Sequence, residues 1–583
     1  MSRLGFEWMI GSLAGLVLLP AAMAGQSCPD PAVLTRGDVG VTAHVRFLAD
    51  DALEGRSVAS AGERCAGTYI ADVFRDLGLT PAGDDGSFFQ SFDVRTGSEV
   101  SGPGALTISR TAGEGNPWTP PTGAWRPYGF SGSGEVEGAL LYAGAGVSRP
   151  GEGGDAMPSA EGRILVVEAA TDGVPAGDLY ADPHFKGTVA QGRSAAALLI
   201  LHDAGPLPDP TLEDRPFLRI PVVAVTGEAA DAVREAARRG DAARLRTRKE
   251  PVWSEARNVV ALLPGSDPDL RHEVVIVGAH YDHLGMGGAG SLAPGTRAIH
   301  NGADDNASGT AALLEVARIL AAGPAPRRPV LFLAFSGEER GLLGSAHYVA
   351  DPTVPLDDAV AMLNMDMVGR LRDDRLTVFG VATAPEWDGL LDAANAAMDD
   401  PFELVTSPDG YGPSDHSSFY GAGIPVLHFF TNTHAEYHRP EDDVATLDVA
   451  GLERVAGLVG TVAGELAGAG NGTAVPKLTL VATAPPEPSE EGSRGYGPYF
   501  GSIPDMSSQD YGVRLTGVRE GSPAAAAGLQ GGDVIVGFGG NEVSDIYTYT
   551  YALREMSPGD AVDVIVMRDG RRLTLQAVLG ERR

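Results

Sequence analysis

Pro329-Val330-Leu331-Phe332-Leu333-Ala334-Phe335 runs directly into Ser336-Gly337-Glu338-Glu339-Arg340-Gly341. The first seven residues form an uninterrupted apolar run, which reads as a strand buried on both faces. Two adjacent carboxylates at the end of such a strand are costly to desolvate unless something positive meets them. The first turn of a helix would account for them, because Glu is favoured near a helix N-terminus. A metal held by one Glu, with the other left to take a proton from water, would account for them equally. The sequence on either side decides between the two.

Strands and helices alternate around that stretch. Residues 273–279, 330–335, 360–365, 376–380 and 425–430 read as strands. Helical spacing covers 309–320, 342–349, 387–398 and 449–466. This alternation specifies an α/β fold, an open mixed and mostly parallel sheet with helices on both faces. Ligand sites in such sheets lie beyond the C-terminal ends of the strands.

Further groups with ligand chemistry fall at those ends. His280 follows the first strand in Gly278-Ala279-His280-Tyr281-Asp282-His283, and Asp282 is placed to orient its imidazole. Asp305 lies in Asn301-Gly302-Ala303-Asp304-Asp305-Asn306-Ala307-Ser308-Gly309, immediately before an apolar helix. Helix capping would explain Asp305 or Asn306, and a carboxylate bridging two metal ions would explain Asp305 as well. Asp366 interrupts the buried run Asn364-Met365-Asp366-Met367 and needs a partner there. Glu436-Tyr437-His438-Arg439-Pro440-Glu441-Asp442 follows the last strand. Imidazoles and carboxylates without a thiolate suit zinc first, with manganese or cobalt as alternatives.

The chain has 583 residues, which points to more than one domain. Its formal net charge of -33 disfavours nucleic acid and anionic membranes as partners. Arg3, the apolar residues 9–19 and Ala22-Met23-Ala24 read as an export signal spanning 1–24, which places the protein in the periplasm or outside the cell. No later segment is long and apolar enough to span a bilayer. The only two cysteines, Cys28 and Cys65, are expected to form one structural disulfide in an oxidising compartment.

Residues 25–125 form the first part of the main domain, and 37–94 read as helix followed by loop. Residues 126–250 read as a compact β-rich insert without clustered ligand residues, and 251–468 as the core of the main domain. Residues 469–498, with Ala484-Pro485-Pro486-Glu487-Pro488, read as a flexible linker, and 499–583 as a small β-rich module.

As an ordered set, Ala279-His280-Tyr281-Asp282, Gly302 to Gly309, Ser336-Gly337-Glu338-Glu339, Asn364-Met365-Asp366-Met367 and Tyr437-His438 resemble the M28 zinc peptidases. That group contains bacterial secreted aminopeptidases and glutamate carboxypeptidase. The resemblance implies two Zn2+ ions bridged by Asp305. His280 and Asp366 would complete one site, and Glu339 and His438 the other. Glu338 would be the general base, Tyr437 an oxyanion donor and Asp282 the partner of His280. Ser414-Asp415-His416 is similar to a family segment near the substrate pocket, outside the metal shell. Arg439 and Asp443 stand where the family often has Thr.

The insert resembles a protease-associated (PA) domain through 186–195 and Ile220-Pro221-Val222-Val223. The tail resembles a bacterial protease PDZ domain, with Tyr499-Phe500-Gly501 as its carboxylate-binding loop and a C-terminal peptide as its ligand. The expected activity is release of N-terminal amino acids from peptides. A carboxypeptidase of the same family would instead need a cationic pocket, for which Arg370, Arg372 and Arg439 are the candidates. The M20 peptidases share the ligand order but carry their insert after the Glu-Glu segment. A catalytically dead peptide-binding scaffold would be expected to have lost ligands, and none is lost here.

Overall fold

Val330–Phe335, Val275–His280, Ala361–Met365 and Val426–Phe430 are successive parallel neighbours at the centre of a nine-stranded sheet. Alternate residues of each strand enter different cores, as strand geometry requires. Val275, Val277 and Ala279 pack with Phe332, Ala334, Leu363 and Leu427. Ile276 packs on the other side with Leu331, Leu333, Phe335, Met362 and Val426. Helices Gly40–Leu48, Ala61–Asp76, Gly309–Ala322 and Val449–Ala467 cover the first core. Leu343–Ala350 and His416–Gly421 cover the second. Outside the parallel centre, Lys249–Leu263 pairs antiparallel with Val330–Phe335, Arg375–Phe379 pairs antiparallel with Val426–Phe430, and Glu403–Ser407 closes one edge.

This computed structural model describes residues 27–580 except 111–115, 147–156, 170–180, 204, 209–216, 289, 294–295, 470–474, 482–497, 505–511, 520, 544–545, 555 and 569. The expected export signal at 1–24 lies outside the described residues. Among the described residues no helix is long and apolar enough to cross a membrane. Cys28 and Cys65 are joined, with Cα atoms 5.3 Å apart, tying the start of the described chain to helix Ala61–Asp76.

Two expectations change. The segment read as loop up to residue 94 contains a 12-residue strand, Phe89–Val100, paired antiparallel with Lys249–Leu263. Its buried positions are Gln90, Val94, Gly97 and Ser98, so it carries little apolar pattern, and its partner lies far along the chain. Residues 475–481, expected within a flexible linker, are held against the main sheet. Thr479 bonds to Glu386, the Val481 N–H donates to Thr383 O at 2.8 Å, and the buried Arg328 donates to Pro476 O at 2.7 Å.

A separate seven-stranded sheet draws its strands from Ala105–Ser109 to Ala242–Thr247. Helix Glu228–Arg239 packs on one face and Pro183–Gly192 on the other, each over its own core. A third sheet is built from Ser502–Pro504, Val513–Val518, Val534–Phe538, Asn541–Glu542, Ala561–Arg568 and Arg571–Val578.

Candidate metal centre

The parallel strands all end at one edge of the central sheet, and the sequence-expected residues leave from it. His280 is the last residue of Val275–His280, and Asp366 directly follows Ala361–Met365. Glu338 and Glu339 follow Phe335 after a turn at Gly337, whose φ is +74°. Asp305 comes from the wide turn Ala303–Ser308 that opens helix Gly309–Ala322. A Cβ on Gly309 would lie 2.4 Å from Met365 O, so glycine lets this helix start against the strand that delivers Asp366. His438 lies in the loop beyond Val426–Phe430.

These side chains converge. His280 Nε2 lies 3.4 Å from Asp305 Oδ1, 3.4 Å from Asp366 Oδ1 and 3.8 Å from Glu338 Oε2. His438 Nε2 lies 3.1 Å from Asp305 Oδ2 and 3.3 Å from Glu339 Oε2. The two oxygens of Asp305 therefore face different imidazoles. His280 Nε2 and Asp366 Oδ1 are buried and make no hydrogen bond despite facing each other. Orphaned donor atoms of this kind, crowded among carboxylates, fit divalent cations better than they fit one another. Ligand atoms of His280, Asp305 and Asp366 all lie within 4.8 Å of one another, as do those of His283, Asp305 and Glu339.

The electrostatics separate the two adjacent glutamates. Burial, reinforced by Glu339, Asp366 and Asp415 against the pull of His280, holds the Glu338 carboxyl well above the usual carboxylate range. Burial and Asp305 push Glu339 the same way, but His283 and His438 outweigh them and bring it to about 2. Burial disfavours a charged His438, yet Asp305 and Glu339 raise its pKa to about 11. One carboxyl thus favours its proton while its neighbour favours its charge, an arrangement suited to one acid–base group beside one ligand. Tyr437 stacks on His438 with ring centroids 3.8 Å apart. Its hydroxyl is held protonated by burial and by the carboxylates of Asp305, Glu339, Glu338 and Asp366.

Backbone groups fix the imidazoles. His438 Nδ1 lies 2.8 Å from Gly290 O, which leaves Nε2 for the carboxylates. His280 Nδ1 lies 3.3 Å from the Asp282 carbonyl and 3.7 Å from Asp282 Oδ1. The Asp282 carboxylate accepts the Glu338 N–H at 3.1 Å, so this residue links the first imidazole to the backbone of the glutamate pair. Asp415 and His416 are fully buried. His416 stacks on His428 at 4.3 Å, and burial, partly offset by His280, pushes Asp415 up to about 7.

Sequence reasoning missed several groups around this centre. His283 Nδ1 lies 2.6 Å from Glu339 Oε1. Asp442 accepts the N–H groups of Asp304 and Asp305 at 3.1 Å, and Asp304 lies 3.3 Å from His434. Fully buried Arg56 donates to the carbonyls of Leu48, Tyr281, Asn301 and Gly302. Leu53-Glu54-Gly55-Arg56 stands out between two helical stretches, but no local pattern indicates acceptors more than two hundred residues away.

Glu63, also buried, accepts from Ser336 Oγ and from the Ala59 N–H. Burial outweighs these donors and raises its pKa from 4.5 to about 8. Between those two pH values the folded protein holds a proton that the unfolded chain has lost. Stability contributed by this group is therefore present in acid and declines as pH rises through about 8. Glu63→Gln is expected to flatten that decline by on the order of a few kcal/mol. Denaturation midpoints compared at acidic and alkaline pH would show the variant losing less than the wild type. Parallel losses would rule the effect out.

Residues 258–463 match the model of peptidase family M28, and 504–579 match that of the PDZ domain. Aminopeptidase YwaD of Bacillus subtilis (strain 168) is 30% identical over 200 residues, covering 33% of this chain and 41% of YwaD. A probable leucine aminopeptidase of Arthroderma otae is 30% identical over 229 residues, covering 37% of this chain and 59% of that protein. The chain thus spans between 41% and 59% of the length of these two relatives. Among solved structures, BSAP, a zinc aminopeptidase from Bacillus subtilis, superposes with a TM-score of 0.46 at 23% identity, over 75% of this chain and 95% of that one. All the converging side chains from His280 to His438 lie inside the first matched segment, so this chain carries a peptidase family M28 domain, followed by a PDZ domain.

Proposed function

We propose that this protein is a two-metal exopeptidase that releases N-terminal amino acids from peptides. One observation carries the conclusion: Asp305 turns one oxygen toward His280 and Asp366 and the other toward His438 and Glu339, with Glu338 alongside. His280 and Asp366 would hold one Zn2+, Glu339 and His438 the other, and Asp305 would bridge them. Manganese or cobalt would suit the same donors. Such a pair supplies Lewis acidity that polarises a scissile carbonyl and acidifies water.

The chain's own groups do the rest. Glu338, ionised beside the bound cations, would take a proton from the attacking water and return it to the leaving amine. Tyr437 keeps its hydroxyl proton and donates to the oxyanion as it develops. Asp282 keeps His280 and the Glu338 backbone in register. The surplus of carboxylates favours a substrate bearing a free α-ammonium group.

Two of the candidate cations for a carboxypeptidase pocket are already committed. Arg370 pairs with Glu436 at 2.8 Å, and Arg372 donates to the carbonyls of Thr431, Asn432 and Thr433. An aminoacyl anilide with a free amine is therefore expected to be cleaved, and its N-acetylated counterpart to be cleaved at least a hundredfold more slowly. Elemental analysis is expected to find two ions per chain. Preference for the blocked substrate, or protein active without metal, would overturn the assignment.

The domain organisation follows the same reading: an export signal at 1–24, peptidase segments at 25–125 and 251–468, a PA-like insert at 126–250 whose sheet also takes in Ala105–Ser109, a linker at 469–498 pinned to the peptidase segment at 475–481, and the PDZ domain in 499–583. The protein would act in the periplasm or outside the cell. The insert would influence access of peptides to the centre, and the PDZ domain would take C-terminal peptide ends by strand addition.

A further inference from the structure

The half of the centre built from Glu339 and His438 contains an imidazole that the ligand set above does not use. The His283 side chain is fully buried, and its Nδ1 lies 2.6 Å from Glu339 Oε1. The other oxygen, Oε2, lies 3.3 Å from His438 Nε2. The carboxylate is therefore divided, one oxygen toward His283 and one toward the position shared by His438 and Asp305. We propose that His283 is a positioning residue whose Nδ1–H fixes which oxygen Glu339 presents to the second metal ion. The inference rests on the two-metal reading.

The ring is itself held in place. Its backbone N–H donates to Arg56 O at 3.1 Å. A Cβ on Gly302 would lie 2.4 Å from two of its ring carbons, so the imidazole packs on the bare backbone of the loop that leads to Asp305. Arg56 anchors that loop by donating to Gly302 O at 3.1 Å. A donor this constrained does specific work on Glu339, because Asp305 repels the same carboxylate. Without His283 the repulsion is free to rotate Glu339 away from the shared position. Hydrogen-bond partners of metal ligands typically change metal affinity by roughly 10- to 100-fold.

The remaining nitrogen, Nε2, is buried without a hydrogen-bond partner. It offers a rival role, direct ligation, which the test separates. Metal-free protein is titrated with Zn2+ by calorimetry and with Co2+ by visible absorption. Wild type is expected to take two ions. His283→Ala is expected to keep the first affinity and lose roughly 10- to 100-fold in the second, with a changed cobalt spectrum for that site only. His283→Asn, which places an amide donor near Nδ1, is expected to recover the second affinity to within a few-fold, whereas His283→Gln is not. If the alanine variant does not fold, as judged by circular dichroism of the metal-free form, the Asn–Gln comparison decides. Equal second-site affinity in His283→Ala, or recovery by Gln rather than Asn, would overturn the proposal. Wild type that takes fewer than two ions would bring down the two-metal reading itself.

Discussion

Glu338→Gln is expected to lower kcat by roughly 10²- to 10⁴-fold, the usual contribution of a general acid–base group, while metal content stays at the wild-type level. Glu338 approaches the centre without completing it: its Oε2 lies 3.8 Å from His280 Nε2, farther than either Asp305 or Asp366. Burial, with Glu339, Asp366 and Asp415, holds its carboxyl well above the usual carboxylate range in the metal-free protein. Glutamine preserves the shape and removes both the proton exchange and that repulsion. The metal-free variant should therefore be at least as resistant to heat as the wild type. Elemental analysis and steady-state kinetics on one preparation check both halves. Loss of activity accompanied by loss of metal would make Glu338 a ligand, and the mechanism would need another base.

Arg56→Ala is expected to destabilise the M28 domain by about 3–5 kcal/mol, as happens when one partner of a buried charged network is removed. Its guanidinium satisfies four carbonyls at once, including those of Tyr281, Asn301 and Gly302, which flank His280 and precede Asp305. The carboxylates of Asp282, Asp305, Asp442 and Glu339 favour its charge, although burial lowers its pKa to about 10. Thermal unfolding is expected to shift down by roughly 10 °C, with weaker metal binding. Arg56→Lys should rescue little, because an ammonium cannot reproduce the planar fork of donors. A lysine variant with wild-type midpoint and metal affinity would refute the claim that the carbonyl contacts, rather than the charge alone, hold the site.

Hydrophobic patterning made much of the architecture legible. Val330–Phe335 emerges with the boundaries read from its apolar run, because it buries a pattern set by its own residues. Phe89–Val100 does not, since three of its buried positions are Gln90, Gly97 and Ser98 rather than apolar residues, and it becomes a strand by pairing with Lys249–Leu263. The pinning of 475–481 is hidden for a related reason: its contacts are the side chains and backbone of Arg328, Thr383 and Glu386.

The candidate centre divides along the same line. The sequence by itself determined that His280, Asp305, Glu338, Glu339, Asp366 and His438 lie at the ends of buried segments, because isolated acids and imidazoles interrupting apolar runs are costly without partners. Only the tertiary structure decided that Asp305 turns an oxygen to each imidazole, that His283 rather than solvent meets Glu339, and that Arg56 and Asp442 hold the intervening backbone. Apart from the Asp305–His280 pair, those contacts join residues 56 to 245 positions apart in the chain. A hydrogen bond across such a separation leaves no periodic trace in the residues between.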